Sequence, residues 1–153
     1  MDLSKRKSPR IPKYDYTTPN YYFITICTDN KKCIFGKPGK LNWFGQIAED
    51  CLLKIHVINP DVYIDKYVIM PNHVHAIIVI DREGLHKNIP QIVGQYKMAV
   101  TKKIRNVEPE KVVWQRSFHD HVIRNREGYK LIWQYIDNNP IKWEEDCFFI
   151  TED

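Results

Sequence analysis

Residues 70–80 read Met70-Pro71-Asn72-His73-Val74-His75-Ala76-Ile77-Ile78-Val79-Ile80. Pro71-Asn72 is a turn signal, and the β-branched run behind it predicts a strand from His73 to Ile80. Side chains alternate across a strand. Val74, Ala76, Ile78 and Ile80 therefore share one face, and His73, His75, Ile77 and Val79 share the other. A strand that is apolar on both faces is a central strand. Val62 to Met70 predicts the strand before the turn, paired with it as a hairpin.

Outward from this hairpin, Tyr21 to Thr28 (YYFITICT) is β-branched and aromatic, and predicts a first strand. Between them, Asp29 to Lys40 predicts a loop, and Phe44 to Ile58 has apolar residues at helical spacing. Asn59-Pro60 ends that helix. A second amphipathic helix is expected over Pro90 to Arg105, an irregular fourth strand over Val112 to Ile123, and a third helix over Gly128 to Asn139. The order is β-α-β-β-α-β-α. It predicts an α+β, ferredoxin-like fold, an antiparallel sheet with helices packed on one face.

The chain has 153 residues, enough for one domain with a real core. Nineteen aromatic residues argue against disorder. No apolar run approaches the roughly 18 residues of a membrane helix, and no apolar stretch follows the charged N-terminus. No membrane partner and a cytoplasmic location are expected. The cysteines at 27, 33, 51 and 147 form no C-x-x-C pair, which disfavours a thiolate zinc site.

Net charge is +4, and the first 13 residues hold five basic groups against Asp2. Residues 1–19 are expected to be an extended basic arm, 20–146 a single catalytic domain, and 147–153 a short acidic end. Gly84 to Val107 adds Lys87, Lys97, Lys102, Lys103 and Arg105 with no acid. A basic arm and a basic interior segment point to a polyanion, for which nucleic acid is the natural candidate.

Two imidazoles side by side at the end of a buried strand are costly unless hydrogen-bonded or bound to a metal. Neutral imidazoles at i and i+2 can chelate one divalent ion. A second His-x-His, His119-Asp120-His121, sits in a more polar segment. Tyr135 and Asn139 are four apart on the third helix and share a face. An amide oxygen beside two imidazoles suits a hard ion with open positions for phosphate. Tyr96, on the apolar stripe of the second helix, competes for a nucleophile's role, but no amide or carboxylate lies one turn on.

Three blocks, Met70 to His75, Trp114 to Asn125 (WQRSFHDHVIRN) and Tyr135 to Lys142 (YIDNNPIK), resemble the single-tyrosine transposases of the His-hydrophobic-His class. The closer resemblance is to REP-associated tyrosine transposases. The resemblance implies a ferredoxin-like domain that cuts and rejoins single-stranded DNA at hairpins, as a monomer or a homodimer. It implies a divalent ion, Mg²⁺ or Mn²⁺, on His73, His75 and Asn139. Tyr135 would be the nucleophile, forming a 5′-phosphotyrosine. Lys5, Arg6, Lys7, Arg10, Lys102, Lys103 and Arg105 would suit DNA phosphates, with Trp114, Arg116 and Arg124 near the site. The alternative is a non-cleaving relative that only binds hairpin nucleic acid.

Overall fold

The computed structural model describes residues 10–84, 86–145 and 149. Lys5, Arg6 and Lys7, and the acidic end apart from Phe149, lie outside the described residues.

Four strands form one antiparallel sheet. They are β1 (Asn20–Cys27), β4 (Val62–Met70), β5 (His73–Ile80) and β6 (His119–Ile123), in the order β4-β5-β1-β6. A two-residue hairpin, β2 (Gly36–Lys37) with β3 (Lys40–Leu41), occupies part of the segment expected to be a loop. The helices are α1 (Trp43–Leu53), a single turn α2 (Ile55–Ile58), α3 (Ile89–Arg105) and α4 (Arg126–Asn138). The helix expected from 44 to 58 is thus interrupted at Lys54. The expected fourth strand is shorter, because Trp114 makes only an isolated bridge to Thr28 before β6 starts at His119.

The three long helices each start on an asparagine whose side chain accepts a backbone N–H three residues on: Asn42 from Gly45, Asn88 from Gln91 and Asn125 from Gly128. Each satisfies one of the donors a helix start leaves unpaired.

The sheet is covered on both faces. Tyr22, Ile24 and Ile26 of β1 and Val74, Ala76, Ile78 and Ile80 of β5 pack with α1 and α3 in the larger core. Ile77, Val79 and Ile123 pack with Ile136 of α4 in a smaller one, edged by Phe23, Tyr129 and Ile132. The expectation of helices on one face therefore holds for α1 and α3 and is corrected for α4. The physical reason is the apolar Ile77 and Val79 on the histidine face of β5, which need their own cover.

Residues 10–19 are not an extended arm. Tyr16 is buried in the larger core, and its hydroxyl accepts the Ile11 N–H at 2.8 Å. Arg10 donates to buried Asp120 at 2.6 Å and to the Phe118 carbonyl at 2.8 Å, with its guanidinium over the Phe118 ring. Burial of Tyr16 ties this stretch to the domain, and Arg10 neutralises the buried Asp120 carboxylate.

Candidate active site

His73 and His75 start β5, and neither exposes more than 1% of its surface. Their rings lie 4.5 Å apart between centroids. Each imidazole is oriented by a polar neighbour. His73 Nδ1 lies 2.8 Å from Asn72 Oδ1, while Asn72 Nδ2 donates to the Lys31 carbonyl at 3.2 Å. The second bond fixes which end of the amide faces His73. An amide oxygen only accepts, so His73 Nδ1 carries the proton and its lone pair is on Nε2. His75 Nδ1 lies 2.9 Å from Thr25 Oγ1, the residue opposite it on β1. If the threonine oxygen accepts, His75 is the same tautomer. Holding a histidine by Nδ1 so that Nε2 can coordinate is the usual outer support of a metal ligand.

Both rings are held neutral. Burial pushes the pKa of His73 down to about 3, with the Asn139 side chain acting in the other direction. Burial, and then the neighbouring His73, push His75 well below the usual imidazole range. Neutral imidazole is the form that binds metal.

The helix α4 brings Asn139 and Tyr135 to the histidine face. Asn139 follows the last turn of α4 and is 4% exposed. Its Nδ2 donates to the Tyr135 carbonyl at 3.2 Å, and its Oδ1 is buried without a hydrogen-bond partner among the described residues. A buried amide oxygen left in that state is costly unless something else satisfies it. The Asn139 oxygen is the candidate for a third donor beside the two imidazoles. Two imidazole nitrogens and one amide oxygen fit a hard divalent ion that keeps open positions.

Tyr135 stands edge-on to His75, 5.3 Å between centroids, and against Phe23 at 6.2 Å. It is 41% exposed, so an outside reactant can reach it. Tyr96 lies on the opposite face of the sheet, buried in the larger core, where its hydroxyl donates to the Ala48 carbonyl at 2.8 Å. Burial raises its pKa well above the usual phenol range. Of the two tyrosines, only Tyr135 is near the histidines.

The basic residues are distributed differently from the sequence expectation. Lys102, Arg105 and Arg116 line one groove of about 660 Å³ with Met98, Thr101 and Gln115. Lys103 is half-buried on the same helix. The Thr28–Trp114 bridge sets this groove at the end of β1 where Cys27 faces His73, although α3 covers the other face of the sheet. Trp114 itself is 9% exposed, packs on Phe35 and Tyr96, and donates its indole N–H to the Lys97 carbonyl. It is mainly a core residue. Arg124 is exposed away from the histidines, in a cleft with Tyr21, Asn125, Arg126 and Tyr129. Arg10 is committed to Asp120. His119 faces Thr25 across the β1–β6 pair and so shares the histidine face, and exposed His121 faces Phe23.

Sequence reasoning passed over Asn72, Thr25 and Trp143. Asn72 was legible only as a turn residue. Trp143, buried with its ring 6.0 Å from His73, follows the Asn-Pro block in a stretch conspicuous only for its charge.

Comparisons with known proteins bear on the fold and the family. An uncharacterized protein of Haemophilus influenzae is 36% identical over 171 aligned positions, covering 97% of this chain and 95% of the other. Among solved structures, a REP-associated tyrosine transposase bound to a REP hairpin has a TM-score of 0.67 at 20% identity, covering 88% of this chain and 74% of that one. A Deinococcus radiodurans R1 protein assigned as a transposase has a TM-score of 0.55 at 19% identity, covering 84% and 95%. At such identities the likeness is one of fold. The family model described as "Transposase IS200 like" matches residues 17–139, a span that begins before β1 and ends on Asn139. With the sheet, both histidines, Tyr135 and Asn139 all inside that match, the chain belongs to the IS200-like transposase family.

Proposed function

We propose that the protein is a metal-dependent single-stranded DNA endonuclease and strand transferase, with Tyr135 as nucleophile. The observation that carries this reading is the placement of Tyr135 against His75, 5.3 Å between ring centroids, one turn from the buried Asn139 oxygen. The Tyr135 hydroxyl would attack a backbone phosphorus. The P–O3′ bond breaks, the phenolic proton passes to the leaving 3′ oxygen, and the 5′ phosphate stays on the tyrosine. The 3′-hydroxyl so released can reverse the reaction, because the energy of the broken ester is kept in the new one. Mg²⁺ or Mn²⁺ on His73, His75 and Asn139 would supply Lewis-acid polarisation of the phosphate, which matters because a phenol of pKa about 10 is a weak nucleophile at neutral pH. Asn72 and Thr25 hold the two imidazoles, and Asn139 ties its own side chain to the nucleophile's backbone.

A hairpin substrate is supported by the solved relative, which holds a REP hairpin. The groove lined by Lys102, Arg105 and Arg116 is the candidate for its phosphates, at the histidine end of the sheet. The test is a covalent-adduct assay with Mn²⁺ and labelled hairpins from the DNA flanking the gene. A band stable to denaturation, lost with chelator and with Tyr135→Phe, is expected. Retardation on a native gel without an adduct would instead favour a non-cleaving hairpin-binding protein.

A further inference from the structure

The helix that carries Tyr135 buries few of its side chains against the sheet. Among the described residues of α4 only Ile136 is buried, with Tyr129 and Ile132 partly so. Ring contacts of Tyr129 with Tyr21 and of Tyr135 with Phe23 and His75 add to it, and three polar contacts come from two consecutive residues of β4. The Tyr129 hydroxyl donates to Asp65, Lys66 Nζ donates to Asp137 Oδ1 at 2.8 Å, and the same Nζ lies 3.9 Å from the Trp133 ring centroid.

Consecutive residues of a regular strand point to opposite faces, so two neighbours should not reach one helix. Here the register of β4 against β5 shifts between Ile64, opposite Ile78, and Lys66, opposite Ile77. Asp65 is the extra residue of a β-bulge, a feature that re-aims side chains. Ile64 stays with the larger core, while Asp65 and Lys66 both turn to α4.

Their partners Tyr129, Trp133 and Asp137 are spaced by four and form one stripe of the helix. At about 100° per residue, Tyr135 and Asn139 fall on the other flank, with Ile136 between the two. The bulge therefore grips one flank of α4, and the nucleophile and amide ligand occupy the other. We infer that Asp65 and Lys66 are positioning residues, a clasp that sets the rotation of α4 and thereby aims Tyr135 and Asn139 at His73 and His75. Without the clasp the helix can roll on Ile136, which leaves the fold standing and misaligns the reacting groups.

The catalytic half of this inference rests on the proposed chemistry, whereas the clasp itself does not. Hydrogen exchange of the full chain, without DNA or metal, separates them. Lys66→Met and Asp137→Asn are expected to speed exchange of the α4 amides by about tenfold or more, with β1 and β5 amides unchanged. With saturating hairpin and Mn²⁺, the same variants are expected to form adduct about tenfold more slowly or worse, with hairpin affinity within about twofold of wild type. Lys66→Arg keeps the charge and stacks on Trp133, so it should recover most of the rate. Wild-type protection of α4 in Lys66→Met, or an unchanged adduct rate despite faster exchange, would overturn the inference. Asp137→Asn lies at an exposed position and serves if Lys66→Met does not fold. Absence of adduct from the wild type counts against the nuclease reading, and exchange then decides the clasp alone.

Discussion

Asn139 and Tyr135 are joined by a hydrogen bond, Nδ2 of the first to the carbonyl of the second, at 3.2 Å. This bond spends the donor end of the amide inside the helix end and leaves the acceptor end, Oδ1, buried on the histidine face. The proposed ligand atom and the proposed nucleophile thus sit on one turn. Asn139→Ala should weaken Mn²⁺ binding and abolish adduct formation, whereas Asn139→Asp, which keeps an oxygen at the position, should retain Mn²⁺ binding. Calorimetric titration with Mn²⁺ checks both, and equal affinity in Asn139→Ala and wild type would remove Asn139 from the ligand set.

The two tyrosines give opposite expectations. Tyr135→Phe should eliminate the covalent adduct and leave hairpin affinity nearly unchanged, since its ring contacts with His75 and Phe23 survive. Tyr96→Phe should keep the adduct and cost about 1 kcal/mol of stability, the worth of its bond to the Ala48 carbonyl. Denaturing gels and urea titrations of the two variants decide this, and cutting by Tyr135→Phe would sink the nucleophile assignment.

Asn72 provides the test of the outer support. Removal of such a group from a metal-bound histidine costs about 10–100-fold in metal affinity or activity. Asn72→Ala should therefore weaken Mn²⁺ binding by that order, although Asn72 lies outside the proposed ligand set. Asn72→Asp, which still accepts from His73 Nδ1, should lose less. Equal losses in the two would mean that the Asn72–Lys31 bond, not the histidine tautomer, is what matters.

The strands were legible because β-branched and aromatic runs bounded by turn residues are local features. Residues 62–70 and 73–80 lie on either side of Pro71-Asn72, and β4 and β5 have those bounds. What was not legible depends on which elements meet. The stretch around Asp65 carries no local mark of a bulge, because a bulge is a mismatch between two strands. Charge pattern does not distinguish an arginine that meets phosphate from one paired with buried Asp120, so Arg10 reads as a DNA contact on an extended basic arm. Trp114 reads as a residue near the site because it opens one of the blocks that carry the family resemblance, and only the packing of Phe35 and Tyr96 against it shows a core side chain. The second face of the sheet was implicit in Ile77 and Val79, but which helix covers them is a question of topology.

Acid should destabilise the metal-free protein through the same histidines. His73 has a folded pKa of about 3 against about 6.5 in the unfolded chain. Between these values the unfolded chain binds a proton that the folded chain does not. Its contribution is therefore fully present above pH 6.5 and is lost as pH falls toward 3, at about 1.4 kcal/mol per pH unit for His73. Between pH 6.5 and 5 the loss from His73 is about 2 kcal/mol, and buried His75 acts in the same direction. Urea unfolding in chelator at several pH values checks this, and His73→Asn should flatten the slope by one histidine's share.

Arg10 and the residues before it should separate when the N-terminus is cut back. Removing residues 1–9 takes away Lys5, Arg6 and Lys7 but leaves the Arg10–Asp120 pair. If those three groups contact phosphates of single-stranded DNA, the slope of log affinity against log salt should fall by about 0.7 for each, with unfolding free energy unchanged. Arg10→Ala does the reverse. It leaves Asp120, whose side chain is 1% exposed, as a buried charge without its cation, and should cost about 3 kcal/mol or more of stability. Asp120→Asn with Arg10→Ala should recover part of that loss, because the uncompensated charge is gone. A salt slope that falls with Arg10→Ala alone, at unchanged stability, would return Arg10 to the DNA interface and take it out of the fold.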